Sequence, residues 1–142
     1  MKQWCLKSKK LLKDYGAVHP CMIYSIKSSF DSKFLYTSDG KGSLKKICIE
    51  KREVDKTLRE NHGTKSIDVI EVSNDNKYLI VAERDGVLEQ WCMKKDKILM
   101  KCKVNARKIL SMKISDDSKV LYVGVNDSKM VYLGRVNKAN VE

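Results

Sequence analysis

The chain has 142 residues, a length that accommodates one domain with a buried core. Lys and Arg number 29 against 18 Asp and Glu, and the resulting formal charge of +11 favours acidic partners such as nucleic acid, acidic protein surfaces or phospholipid headgroups. Hydrophobic residues make up 42% and are spread along the chain, without an apolar run near the roughly 20 residues that span a bilayer. We therefore expect a globular domain with no membrane insertion.

The first residues, "MKQWCLKSKKLLK", contain no apolar core of the kind that a secretory signal requires. The five cysteines form no CxxC pair and leave an odd thiol, which argues against a disulfide framework or a zinc site; they are Cys5, Cys21, Cys48, Cys92 and Cys102. Both features predict an intracellular protein, cytoplasmic or nuclear.

A strand predicted in "KKLLKDY" (9–15) precedes the first of three similar segments. Residues 23–49 align without gaps on residues 67–93 at an offset of 44, and a third copy, 109–135, follows at an offset of 42. The segments 53–58 and 97–104 separate the copies, and the tail 137–142 is predicted to be flexible. We take the repeat units as about 5–49, 50–93 and 94–136.

Each copy predicts three strands. The first opens at Ile23, Ile67 or Ile109, and a polar turn follows, "FDSK", "NDNK" or "DDSK", whose Asp and Asn residues favour tight turns. The second is a short aromatic and β-branched run, and another turn near Gly42, Gly86 or Ser128 leads to the third. The segments 9–15, 53–58 and 97–104 supply a fourth strand.

Four short strands per period of 42 to 44 residues, with no helical periodicity of comparable strength, are typical of a β-propeller blade. The predicted fold is all-β, with four-stranded antiparallel sheets forming about three blades of an incomplete propeller over residues 1–136. Cys5, Cys48 and Cys92 recur at spacings of 43 and 44, and we expect them to be small buried core residues.

The three copies resemble the WD-repeat family of β-propellers over essentially the whole chain. In that family a His, a Ser or Thr, an Asp and a Trp form a hydrogen-bonded support within each blade. The resemblance assigns these structural positions to His19 and Thr37 in the first copy, to His62, Asp85 and Trp91 in the second, and to Asp127 in the third. Lys41 stands at the Asp position of the first copy, Ile47 at its Trp position, and Val81 at the hydroxyl position of the second.

No catalytic motif emerges from the sequence. Neither histidine stands in a nucleophile–base motif, and there is no GxxxxGK or GxGxxG loop. "KFLYTSDG" and "KVLYVGVND" are also similar to repeats of lactonase-type propellers, which would need carboxylates or Asn converging on a central metal. Asp39, Asp85 and Asp127 lie in corresponding turns and are interpreted as turn and support residues instead. The prediction is a non-enzymatic protein without cofactor or metal, with a lactonase-type enzyme as a less favoured alternative.

The WD-repeat resemblance implies a scaffold or adaptor that binds other proteins. The turns before the first and third strands of each copy gather on one face, which receives peptides in resembling proteins, and the candidate contacts there are Lys65, Arg84, Arg107 and Lys108. "KSKK" (7–10) and "KKDK" (94–97) project from the other face, so a basic RNA-associated protein is the alternative from another class.

Three copies are fewer than the four to eight blades of known propellers. An open arc leaves the flanks of its end blades uncovered. We therefore expect either a piece of a larger propeller or multi-protein assembly, or self-association of two chains that completes the ring.

Overall fold

The computed structural model describes residues 1–60, 65–105, 107–126 and 130–133. None of these residues belongs to a helix, so this part of the chain contains no helix that could cross a membrane. The described strands are β1 (Lys2–Trp4), β2 (Leu11–Asp14), β3 (Ile23–Ser28), β4 (Phe34–Asp39), β5 (Leu44–Cys48), β6 (Glu53–Arg59), β7 (Ile67–Val72), β8 (Tyr78–Glu83), β9 (Val87–Cys92), β10 (Lys97–Lys103), β11 (Ile109–Ile114), β12 (Leu121–Val125) and β13 (Met130–Leu133).

The strands form four antiparallel sheets in which neighbours along the chain are neighbours in space. The sheets are β1-β2, β3-β4-β5-β6, β7-β8-β9-β10 and β11-β12-β13, and the described strands do not close into a ring. Over the described residues, the prediction of an all-β fold with four-stranded antiparallel sheets is confirmed. The segments between copies do supply the fourth strands, β6 and β10, and each pairs with the third strand of the copy before it. A sheet therefore combines three strands of one repeat unit with the first strand of the next.

The turn after the first strand has the same hydrogen bonds in all three copies. In the first copy the Ser29 hydroxyl donates to Asp31 at 2.6 Å, and the backbone N–H of Lys33 donates to the same carboxylate at 3.2 Å. Ser73 with Asp75 and Ser115 with Asp117 repeat the arrangement. Donation from Ser29 and from the Lys33 backbone lowers the pKa of Asp31. The Asp of these turns was predicted, and its Ser partner was not.

The core lies between the sheets. One cluster joins the β3–β6 sheet to the β7–β10 sheet and includes Tyr36, Leu44, Ile70 and Trp91. The opposite face of the β7–β10 sheet packs on β11–β13 through a second cluster that includes Ile80, Leu88, Met112 and Val123. The sheet β7–β10 is thus buried on both faces, and its first strand contacts the first strands of both neighbouring sheets, β3 and β11.

The repeated cysteines do not lie in this core. Cys5, Cys48 and Cys92 are free thiols that are half-buried, as are Cys21 and Cys102. The expectation of buried core positions was wrong because all three lie at strand ends next to a turn: Cys48 and Cys92 are the last residues of β5 and β9, and Cys5 directly follows β1. The regular spacing of these cysteines follows from the repeat and does not indicate a shared position in the core.

Candidate protein-interaction groove

A groove opens where the first strands of three successive copies begin. Tyr24, Asp68 and Leu110 occupy the same position in the three copies, and all three line a cavity of about 370 Å³. Arg84 from the turn after β8 and Lys108 from the segment before β11 are also in its lining. The contacts of β3 with β7 and of β7 with β11 hold these strand ends side by side. We call this lined cavity the groove.

Arg84 lies between two of the strand ends. Its Nε donates to the Asp68 carboxylate at 3.3 Å, and its guanidinium lies 5.6 Å from the ring centroid of Tyr24, close enough for a cation–π contact. A long hydrogen bond of 3.5 Å to the Tyr24 hydroxyl, followed by Asp68, raises the pKa of Arg84. Asp68 and Tyr24 therefore hold the Arg84 side chain in the lining of the groove.

Lys108 reaches the groove from the other side. The backbone N–H of Lys108 donates to Oδ1 of Asn126 at 3.2 Å, and the backbone N–H of Asn126 donates to the Lys108 carbonyl at 3.2 Å. The side chains of Lys108 and of the exposed Arg107 form no ion pair with any residue that the structure describes. Lys108, which forms no ion pair within the described ranges, thus lies in the groove lining with the exposed apolar side chain of Leu110.

Lys65 does not line the groove and forms an ion pair outside it. Its ammonium lies 2.6 Å from the carboxylate of Asp85, and this contact raises the pKa of Lys65 and lowers that of Asp85. Asp85, which was predicted as a turn and support residue, lies half-exposed in the turn between β8 and β9. Of the four candidate contacts, Arg84 and Lys108 line the groove, Arg107 is adjacent in sequence, and Lys65 belongs to a separate ion pair.

The first copy contains a buried triad of His19, Thr37 and Asp39. His19 Nε2 lies 2.8 Å from the Thr37 hydroxyl, and His19 Nδ1 lies 3.0 Å from Asp39. The side chains of His19 and Asp39 are fully buried. The predicted pair of His19 and Thr37 is therefore brought together, but the acid is Asp39 and not the residue at position 41. Asp39 is the last residue of β4, and its carboxylate caps the following turn by accepting from the backbone N–H groups of Lys41 and Ser43.

Burial lowers the pKa of His19, although Asp39 opposes the effect. Burial raises the pKa of Asp39, but the backbone N–H groups of Ser43 and Lys41 outweigh it and the net shift is downward. An ionised Asp39 can only accept, so the His19 proton lies on Nδ1, and the unprotonated Nε2 accepts from the Thr37 hydroxyl. The triad is thus a neutral imidazole fixed by two hydrogen bonds.

The second copy replaces the triad with a charged network. Arg59, from β6 of the preceding sheet, donates to Glu83 at 2.7 Å and to Glu89 at 3.1 Å. The Trp91 indole donates to Glu89 at 3.0 Å, and Lys101 lies 2.7 Å from the other oxygen of Glu89. Trp91 is buried as predicted for a strand-closing residue, but its partner is Glu89. The network joins two sheets because Arg59 belongs to β6, whereas Glu83 and Glu89 belong to β8 and β9. Within its own sheet, Arg59 also donates to the carbonyl of Gly42 at 2.8 Å.

Two predicted structural positions, His62 and Asp127, lie outside the described residues. Within the described ranges, no three His, Cys, Asp or Glu side chains are grouped to hold a metal ion. Sequence reasoning missed Tyr24, Asp68 and Leu110 as groove residues. The repeat alignment contained the signal, because one aligned column that changes from aromatic to acidic to aliphatic cannot serve a shared core and must face a surface that differs between copies.

Comparison with known proteins does not place the chain in a family. No protein family model matches it, and no curated protein matches it.

Proposed function

We propose that this chain is part of a WD-repeat-like β-propeller whose groove binds a peptide segment of a partner protein. The single observation that carries the proposal is the convergence of one repeat position, Tyr24, Asp68 and Leu110, at a concave surface with the adjacent cation Lys108. Concave surfaces with apolar walls and a few placed polar groups are typical of binding sites. The role is that of a scaffold or adaptor, without chemistry of its own.

The proposed ligand is a peptide with a carboxylate next to an apolar side chain. Lys108 supplies a positive charge that no described ion pair offsets, while Leu110 and the ring of Tyr24 supply apolar contact area. Arg84 is already engaged by Asp68 and Tyr24, so it orients the Tyr24 ring and does not compete for the ligand carboxylate. The simplest peptide that would contact both the positive charge and the apolar side chains has one acidic residue next to an aromatic or aliphatic one.

A display selection with a random peptide library on the immobilised full chain tests the proposal. We expect wild-type protein to enrich peptides with an acidic–apolar pair, and the Lys108→Glu/Leu110→Asp variant to lose them, because both replacements put negative charge where the peptide carboxylate would lie. Lys103→Glu, an exposed change at the end of β10 that does not line the groove, serves as the matched control and should enrich the same peptides. Enrichment of one peptide set by wild type and groove variant alike would overturn the proposal.

Ionic strength separates this function from an RNA-associated role. Nucleic-acid binding carried by lysines loses affinity steeply with salt because bound counterions are released, whereas a peptide held by one ionic and one apolar contact is retained at moderate salt. Selected peptides should therefore still bind at the ionic strength of the cell.

A further inference from the structure

The end of the sheets opposite the groove carries a second surface. An antiparallel meander returns to the same end after every two strands, so the turn after a first strand lies beside the turn after a third strand. Backbone hydrogen bonds confirm the pairing, from Ile49 to Lys33 at 2.9 Å and from Met93 to Lys77 at 3.0 Å. We call the surface formed by turns 5–10, 29–33, 49–52, 73–77 and 93–96 the turn end.

The turn end is strongly cationic. Seven of its basic residues are exposed and form no ion pair with any residue in the described ranges: Lys7, Lys9, Lys10, Lys51, Arg52, Lys94 and Lys95. Among the acids of these turns, Asp31 and Asp75 accept from their own turns and Asp96 pairs with Lys46 and Lys56. Glu50 is exposed and forms no ion pair with a described residue, so it offsets one of the seven cations. The excess positive charge therefore faces solvent.

The turns that carry this charge are contiguous. Arg52 donates to the carbonyl of Leu12 at 3.4 Å, which places turn 49–52 beside the β1–β2 sheet. Asp96 lies 3.4 Å from Lys46 and 3.2 Å from Lys56, which places turn 93–96 beside β5 and β6. Three sheets thus contribute to one basic surface, and turn 49–52 lies between the two lysine-rich turns.

Two large apolar side chains project from the same end. Leu6, at the tip of the β1–β2 hairpin, is 93% exposed, and Phe30, in the turn after β3, is 70% exposed. Leu6 is followed directly by Lys7, and Lys9 and Lys10 complete the hairpin. Protruding apolar residues surrounded by lysines are the pattern of surfaces that lie in the interface of an anionic membrane. The Phe30 ring could stack on a base, but Leu6, the more exposed of the two, has no ring, so the pair fits an apolar lipid boundary better than a row of stacked bases.

We propose that the turn end binds the surface of an anionic lipid membrane. The lysines of turns 5–10 and 93–96, with Lys51 and Arg52, pair with lipid phosphates, while Leu6 and Phe30 enter the headgroup–acyl boundary. The domain then lies on the membrane without spanning it, and the groove at the opposite end faces away from the lipid and stays open to a protein partner.

Vesicle co-sedimentation with the full chain tests this proposal. We expect binding to phosphatidylcholine vesicles that contain phosphatidylserine and none to phosphatidylcholine alone. Lys7→Glu/Lys10→Glu should weaken binding by at least roughly 25-fold, since each lysine near an anionic surface contributes about five-fold. Leu6→Ser should weaken it by roughly ten-fold at unchanged charge, because one buried leucine is lost from the interface.

Lys41→Glu/Lys103→Glu is the matched control, because it makes the same charge change at exposed positions of the opposite end. It should bind vesicles within roughly two-fold of wild type, since its charges lie beyond the reach of screened electrostatics. All these changes are at exposed side chains, so the variants should fold, which a thermal melt verifies. Equal loss in both double variants, or full binding by Leu6→Ser, would overturn the proposal. So would binding of a single-stranded RNA oligonucleotide that Lys7→Glu/Lys10→Glu abolishes while vesicles of neither composition bind.

Discussion

Lys27 and Glu71 occupy the same position in the first and second copies, and their side chains meet at 2.7 Å between the neighbouring strands β3 and β7. Lys113, at the same position in the third copy, approaches the other oxygen of Glu71 at 3.7 Å. The Glu71 side chain is only 5% exposed, whereas both lysines remain partly solvated. One acid between two bases therefore stabilises the alignment of three adjacent first strands.

Replacing this acid with the lysine of the other copies should destabilise the fold. Glu71→Lys places three cations on adjacent strands and buries one of them, so we expect the free energy of unfolding to fall by about 3 kcal/mol in urea denaturation. The double variant Glu71→Lys/Lys113→Glu restores one ion pair and should recover part of that loss. A double variant no more stable than Glu71→Lys would show that the charges do not act together.

The buried His19 predicts loss of stability in mild acid. Its pKa is lowered from the ordinary value of 6.5, so the unfolded chain takes up a proton as pH falls through 6.5 while the folded chain does not. The free energy of unfolding should therefore decrease from about pH 7.5 to about pH 5.5, with a slope of at most about 1.4 kcal/mol per pH unit. Denaturant titrations across this range measure it.

Replacing the buried histidine provides the control for that experiment. His19→Gln removes the titrating group and should flatten the dependence between about pH 7.5 and about pH 5.5, whereas Arg107→Met, an exposed change outside the triad, should retain the wild-type slope. The lowered pKa of Asp39 adds a further loss that begins only as pH falls through its ordinary value of 3.8. A wild-type slope in His19→Gln would rule out the triad as its source.

Arg59 should be a determinant of stability although it lies outside the three aligned copies. Arg59→Met keeps the alkyl stem but leaves Glu83 and Glu89 buried with Lys101 as the remaining cation, so we expect a loss of about 3 kcal/mol in the free energy of unfolding. Arg107→Met makes the same chemical change at an exposed side chain and should stay within about 0.5 kcal/mol of wild type. Similar losses in the two variants would contradict the role of the network.

Gly42 is required by both its conformation and its surroundings. Its φ of +84° is in the left-handed region, and a Cβ there would overlap the backbone carbonyl oxygen of Lys65. Gly42→Ala should therefore lower the melting temperature more than Gly16→Ala, where φ is +62° but nothing lies within 4 Å of an added Cβ. Thermal melts of the two variants separate steric overlap from backbone strain; equal shifts would mean that the overlap is relieved at no cost.

The repeat made much of the fold predictable, because strand order, turn positions and the Asp31, Asp75 and Asp117 turns follow from positions that all copies share. Contacts between copies were not predictable in the same way. Glu71 lies between two lysines, and Arg59 binds acids of the next sheet, so each depends on how sheets pack and not on the pattern within one copy. Asp39 was interpreted as a turn and support residue but was not assigned to the triad, because the family pattern places the acid two residues later, at Lys41.

The groove is the central claim, and the affinity of a display-selected acidic–apolar peptide tests it most directly. Fluorescence anisotropy with the labelled peptide and the full chain should give at least roughly ten-fold weaker binding for Lys108→Glu, because an attractive contact becomes repulsive, and no change for Lys103→Glu. Equal affinity of wild type and Lys108→Glu for that peptide would contradict the account.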